Sequence, residues 1–297
     1  MEQRPKRLFF SLGRMWTIAE NTITEVIRQK FFYILLIFAI VVLLSSVFFS
    51  QFSSIEIDRV KFLKDFGLGA IKIFGVVIAM VGAAQLLPME LENRTIYPIL
   101  AKPVFRGEFL LGKYVGMIVL LLLTTVLMSF IFGGVLLYTE HQLIAEGAAA
   151  GQSAGLGVTS EEAVRQVIKQ TRDPSLIKAI GLIYVQFTIV CAISLLIATF
   201  ATSVIFNVIT TVIIYICGHL EGVARQSWLG DPSPVAKFML LVITFFVPDL
   251  DAFNIVDAVV LGQAVPMELA LKTMGYGVFY SAVVLGVACL IFQEKEI

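Results

Sequence analysis

Seven residues invite a phosphate-binding reading. Gly107-Glu108-Phe109-Leu110-Leu111-Gly112-Lys113 fits the GxxxxGK spacing of a nucleotide loop. Such a loop needs Ser or Thr next, to hold Mg²⁺, and here Tyr114 follows. The run also leads straight into apolar sequence and follows no strand pattern. Gly112 and Gly116 instead make a GxxxG, which suits the close approach of two helices. His141 and His219 fall at loop or interface positions and make no metal set with each other, and no HExxH occurs. Cys191, Cys217 and Cys289 share no CxxC spacing and lie in apolar stretches, where they read as small packing residues. No trio suggests a nucleophile and its base. The chain therefore reads as non-enzymatic, with no metal or cofactor of its own.

The surrounding sequence explains why. Of 297 residues, 58% are hydrophobic and only 15% charged, with a mean hydropathy of +0.91. A soluble domain is nearer half apolar and a quarter charged. The 22 Lys+Arg balance 22 Asp+Glu, which argues against a nucleic-acid partner. The fold class that fits is an all-α polytopic membrane protein. A spanning helix needs roughly 20 apolar residues, so six would use about 120. Six runs qualify: 31–50, 68–87, 114–138, about 177–200, about 204–220 and about 269–292. The N-terminus does not read as a cleavable signal, because Gly13 and Arg14 break its short apolar run.

Basic residues are denser in the segments on the N-terminal side of this arrangement, which predicts cytoplasmic N- and C-termini in an inner (plasma) membrane. Lys72, Lys178 and Lys272 sit near outer helix ends, where long stems snorkel. The outer loop 139–175 carries a Gly/Ala/Ser-rich stretch and reads as a connector. Ala236–Val247 is apolar but only about 12 residues long, so it reads as re-entrant within an outer region 221–266. The midplanes hold no Asp, Glu, Lys, Arg or His, which disfavours an ion-coupled transporter. Gln85, Gln186, Asn207 and Thr210 are the polar candidates there, either as pathway residues or as glue between helices.

Two segments remain on the N-terminal side. In residues 1–30, Leu12, Met15, Trp16, Ala19, Ile23, Val26 and Ile27 recur at three- and four-residue steps. Arg14, Glu20, Glu25 and Arg28 fill the other face. This predicts an amphipathic helix along the membrane surface, either an anchor or an elbow that receives motion from a partner. The second segment is the loop 89–113, MELENRTIYPILAKPVFRGEFLLGK. Its acids, bases, apolar ridge and two prolines suit a stiff docking knob, or a plain connector.

The loop resembles that of ABC transporter permeases of the type-two exporter kind. Glu90, Glu92, Thr95, Leu100, Pro103, Val104, Arg106, Phe109, Gly112 and Lys113 match that family's pattern in order. Glu25, Arg28 and Lys30 match its lead-in helix. Val247–Asn254 is similar to its Pro-Asn-Leu-x-x-Phe-Asn stretch, with Asp249 where Asn is common. The tail 293–297 resembles the family's ending. The resemblance implies a six-helix domain over 31–292 with an N-terminal elbow helix and re-entrant helices before the last span. Glu90, Glu92, Thr95, Tyr97, Pro98, Leu100, Pro103 and Arg106 would dock a separate cytoplasmic ATPase, which would bind ATP and Mg²⁺. Met15, Trp16, Glu20, Glu25 and Arg28 would mark the elbow helix. Two permease copies would work together within membrane lipid. The alternative is a membrane scaffold that docks soluble partners and moves nothing.

Overall fold

The computed structural model describes residues 11–50, 56–88, 106–154, 165, 167–201, 203–229 and 247–294, with backbone alone at 56–57, 147–154 and 221–229. Among these residues there is no strand. The helices are α1 (Leu12–Ile27), α2 (Lys30–Ser50), α3 (Glu56–Gln85), α4 (Arg106–Ala154), α5 (Ser175–Phe200), α6 (Val204–Leu229), the short α7 (Val256–Val260) and α8 (Met267–Glu294).

The centre of the bundle is α5. Nearly every side chain from Leu182 to Thr199 is buried, and α3, α4, α6 and α8 all pack on it. Its sequence is apolar around the whole circumference, as a fully enclosed helix requires. In contrast, α2 is equally apolar yet leaves Ile34, Ile37, Phe38, Val41, Leu44 and Phe48 exposed. A surface this apolar is stable only away from water, against hydrocarbon or another apolar helix.

Among the described residues, five helical stretches are long and apolar enough to cross a membrane: Lys30–Ser50, Asp58–Gln85, Arg106–Glu146, Val167–Phe200 and Met267–Glu294. At the predicted fifth position the apolar helix Val204–Leu220 is shorter. At 1.5 Å per residue it covers about 26 Å, just under the ~30 Å hydrocarbon layer. Its helix continues to Leu229. The predicted re-entrant segment 236–247 falls outside the described residues except for Val247.

Two further helices outrun the predicted spans. The second begins at Glu56 instead of 68, and the third runs to Ala154 instead of 138. The first part of the stretch read as a connector, 139–154, is thus a continuation of α4. Hydropathy marks where a helix leaves lipid, whereas the helix itself continues wherever its polar side chains find partners. Here Arg59 pairs with Glu146 at 3.2 Å, and Arg172 with Glu140 at 2.9 Å. Val60, Leu143 and Val167 form a small separate core between them.

At the same end, residues 247–265 fold over the bundle. Leu250 N–H donates to Gly218 O of α6 at 3.1 Å, and Leu250 and Phe253 are fully buried. Two lysines hold this segment through its carbonyls. Lys178 Nζ donates to Val265 O at 2.7 Å, and the buried Lys64 Nζ to Val259 O at 3.4 Å. Lys178 therefore turns onto the protein, where snorkelling to the interface was expected. Lys272 pairs with Glu268 one turn away at 2.6 Å.

Candidate functional site

The N-terminal amphipathic helix forms over the predicted residues 12–27, and it packs on protein. Ala19, Thr22 and Val26 are buried, while Trp16 is 58% exposed and Leu12 is exposed as well. The apolar stripe is thus divided. Ala19, Val26 and the partly buried Ile18, Ile23 and Ile27 pack on the bundle, whereas Leu12 and Trp16 face outward.

The contact is made at Gly112 and Gly116. A Cβ added at Gly112 would lie 2.8 Å from Ile18 Cβ and 3.0 Å from Met15 O. One at Gly116 would lie 2.6 Å from Ala19 O and 2.8 Å from Thr22 Cβ. Only glycine lets the two backbones come this near. Residues 15–18 meet 112 and residues 19–22 meet 116, so α1 and the first turns of α4 advance side by side in the same direction. The GxxxxGK run therefore serves as a helix crossing.

The charged residues of that run lock the crossing. The Glu108 side chain is 0% exposed and accepts the backbone N–H of Ser11, the N-cap of α1, at 2.7 Å. Its second oxygen faces Arg14 Nε at 3.6 Å. A carboxylate there satisfies an unpaired terminal N–H and complements the positive end of the helix. Five residues on, Lys113 is 1% exposed and meets Glu25 Oε2 at 2.8 Å near the other end of α1. Its ammonium also lies 5.6 Å from the centre of the Phe109 ring. A charge this enclosed is tolerated only when paired.

The same first turns of α4 grip the end of α8. Arg106 Nη1 donates to Phe292 O at 3.4 Å and to Gln293 O at 3.3 Å. These carbonyls end α8, where a guanidinium is favoured. Phe109 stacks on Phe292 with ring centres 6.3 Å apart. Three elements, α1, α4 and α8, are thus fastened at one place, directly after the loop 89–105.

Of the predicted docking residues, only Arg106 is described, and it lies in this fastening. Glu90, Glu92, Thr95, Tyr97, Pro98, Leu100 and Pro103 fall outside the described residues. On α1, Met15 lies against Gly112, Glu25 holds Lys113, and Glu20 and Arg28 are exposed. The polar residues of the spans divide. Asn207 is buried, donates to Ser194 O at 3.1 Å and accepts from Thr211 Oγ1 at 3.2 Å. Ser194 in turn reaches Met80 O at 3.1 Å, so α3, α5 and α6 are joined. Thr210 bonds back to Phe206 O at 2.8 Å, and Gln85 is half-buried at the end of α3. Gln186 is buried and its amide nitrogen lies 3.1 Å from His219 Nε2.

The roles of Glu108 and Lys113 were not visible in the sequence beyond their place in the run. A signal existed: an acid in the first turn of a helix with a lysine five residues on, opposite Ser11 and Glu25 of an amphipathic helix. The register that pairs them needed the structure. Among the described residues no group of three His, Cys, Asp or Glu could hold a metal, and Cys191 is buried, Cys217 exposed and Cys289 intermediate, all free.

A family model described as ABC-2 family transporter protein matches residues 16–297. The chain belongs to the ABC-2 transporter family. It is accordingly a multi-pass membrane permease component of an ABC transporter, a class that generally works with a cytoplasmic ATPase. The match takes in α4, α8 and α1 from Trp16 onward, including the Lys113–Glu25 and Arg106–Phe292 contacts. A comparison with curated proteins finds no match.

Proposed function

We propose that this ABC-2 permease is the membrane subunit of an ATP-driven exporter and that it does no covalent chemistry itself. A separate ATPase binds ATP and Mg²⁺, and two permease copies enclose the path. Both termini lie in the cytoplasm of an inner (plasma) membrane protein. Six spans are completed by the short helix at 204–220, with a re-entrant piece before α8. The loop 89–105, continuing into α4, docks the ATPase through Glu90, Glu92, Thr95, Tyr97, Pro98, Leu100 and Pro103.

The observation that carries this reading is the fastening just beyond that loop. A push on the loop enters α4 at Arg106, where α1 and the end of α8 are bound to the same two turns. The load therefore spreads over three helices instead of bending one. A ligand shifts a conformational equilibrium only through contacts that differ between states, and those contacts lie at the ATPase.

The test is co-purification and vesicle transport. The wild type should bring down a cytoplasmic ATPase, and Glu90→Lys/Glu92→Lys should lose it, with Arg106 left intact because it holds α8. A folded wild type that binds no ATPase, or vesicles without transport-linked ATP turnover, would overturn the reading.

A further inference from the structure

Toward the end of the bundle covered by residues 247–265, α6 carries a half-buried imidazole, His219. Its Nδ1 lies 3.0 Å from Tyr215 O, and its Nε2 lies 3.1 Å from the amide nitrogen of Gln186 on α5. A carbonyl oxygen only accepts and an amide nitrogen only donates, so Nδ1 carries the proton and Nε2 offers its lone pair. Both contacts therefore describe one species, the neutral Nδ1–H ring. Gln186 is left uneven by this arrangement. It is 0% exposed, and its Oε1 is buried with no hydrogen-bond partner among the described residues. Half a rotation of the carboxamide would bring Oε1 to Nε2, and that geometry demands a proton on both ring nitrogens. The pair thus fits two states that differ by one proton and one amide turn, each leaving one end of the amide unpaired.

The charges that act on the ring come from two other elements. Lys72 stands on α3, and Asp249 and Asp251 on the segment folded over the bundle. Lys72 in turn faces Asp251 and Asp257. On its own helix the ring faces Tyr215, with ring centres 4.4 Å apart. From α8, the Tyr276 hydroxyl accepts the backbone N–H of Asp249 at 3.2 Å. The segment is seated on α6 beside the ring: Leu250 N–H donates to Gly218 O, and a Cβ at Gly218 would lie 2.8 Å from Pro248 O. A charged ring would repel one ammonium and attract two carboxylates, both carried by the seated segment. An ionisable group within a span, with identifiable partners, is the kind retained for function. We propose that His219 is a proton-binding site, and that proton uptake turns the Gln186 carboxamide and tightens residues 248–251 on α6. The pH at that end then sets how firmly the segment closes over the bundle, whichever partner drives the permease.

The chain has two histidines, and His141 is exposed on α4. His141→Gln therefore leaves His219 as the single imidazole. Full-length protein carrying nitrogen-15 histidine is titrated in nanodiscs from about pH 8 to about pH 5. The ring signals should show the Nδ1–H form first and the doubly protonated form at the acid end. Asp251→Asn, at an exposed position, should push that change to more acid pH, and Lys72→Gln should push it the other way. Hydrogen exchange at 249–253 is then compared with His219→Gln at each pH, so that the intrinsic pH dependence of exchange cancels. Acidification should slow exchange in the wild type relative to the variant by up to about five-fold, the weight of one partly exposed ion pair. If His219→Gln fails to fold, Asp251→Asn serves as the reference in its place. A ring that stays neutral over the whole range, an Nε2–H ring at neutral pH, or an exchange ratio that does not change with pH would overturn the proposal.

Discussion

Lys113 Nζ stands 2.8 Å from Glu25 Oε2, joining the buried wall of α4 to the last turns of α1 across 88 residues of chain. The lysine is enclosed, while the carboxylate keeps partial access to water. Removing the lysine therefore leaves a charge that solvent can reach. Lys113→Met should lower stability by about 1–3 kcal/mol, short of the loss for a fully buried pair. Lys113→Met/Glu25→Leu should recover part of it, since no charge then remains unpaired. Unfolding midpoints in detergent decide this; a double variant no better than the single one would count against the pair.

The helix crossing at Gly116 makes a sharper demand. A side chain there meets the α1 backbone at Ala19 O, which cannot move aside as a flexible tip would. Gly116→Leu should pry α1 off α4 and cost about 3 kcal/mol or more, as overpacking against backbone does. Thiol labelling of Thr22→Cys, buried in the wild type, should then become fast. Gly133→Ala enters open space and should change neither readout.

These contacts also show how much of the molecule could be read from the chain. The bounds of α1 were legible because amphipathic period and helix length agree over 12–27. The starts and ends of α3 and α4 were not, because Asp58, Arg59, Glu140 and Glu146 look like loop residues until their partners are known. Asp58 pairs with Lys61 three residues on, but the partners of Arg59, Glu140 and Glu146 lie 32 to 87 residues away. Gly112 and Gly116 announced a close crossing, yet nothing local named α1 as its mate. Arg106 was assigned to docking by its place in the loop pattern; its bonds to the end of α8 depend on a residue 186 positions later.

Arg106 consequently separates two roles. As the group that satisfies the final carbonyls of α8, it should be worth about 1 kcal/mol of stability. Arg106→Ala should fray the end of α8 and raise hydrogen exchange at 289–294. Arg106→Lys, still a cation at a helix C-terminus, should restore much of that protection. An ATPase lost from Arg106→Ala with exchange at 289–294 unchanged would instead assign the residue to docking alone.

Asn207 was a candidate both for the transport path and for helix glue. Its amide donates to Ser194 O on α5 and accepts from Thr211 on its own helix, while Ser194 reaches Met80 O of α3. Every one of these groups is buried, and their satisfaction joins three helices. Asn207→Leu is close in volume but removes the side-chain donor from Ser194 O and the link it makes between α5 and α6, so it should cost about 1–2 kcal/mol, near the upper range for such bonds in membranes. Any transport defect should then track the lost stability and return when the protein is assayed at lower temperature. A residue that contacts cargo behaves differently: transport falls while the unfolding midpoint stays put. Measuring both quantities on Asn207→Leu, with Thr210→Val as the self-bonded neighbour, tells glue from path.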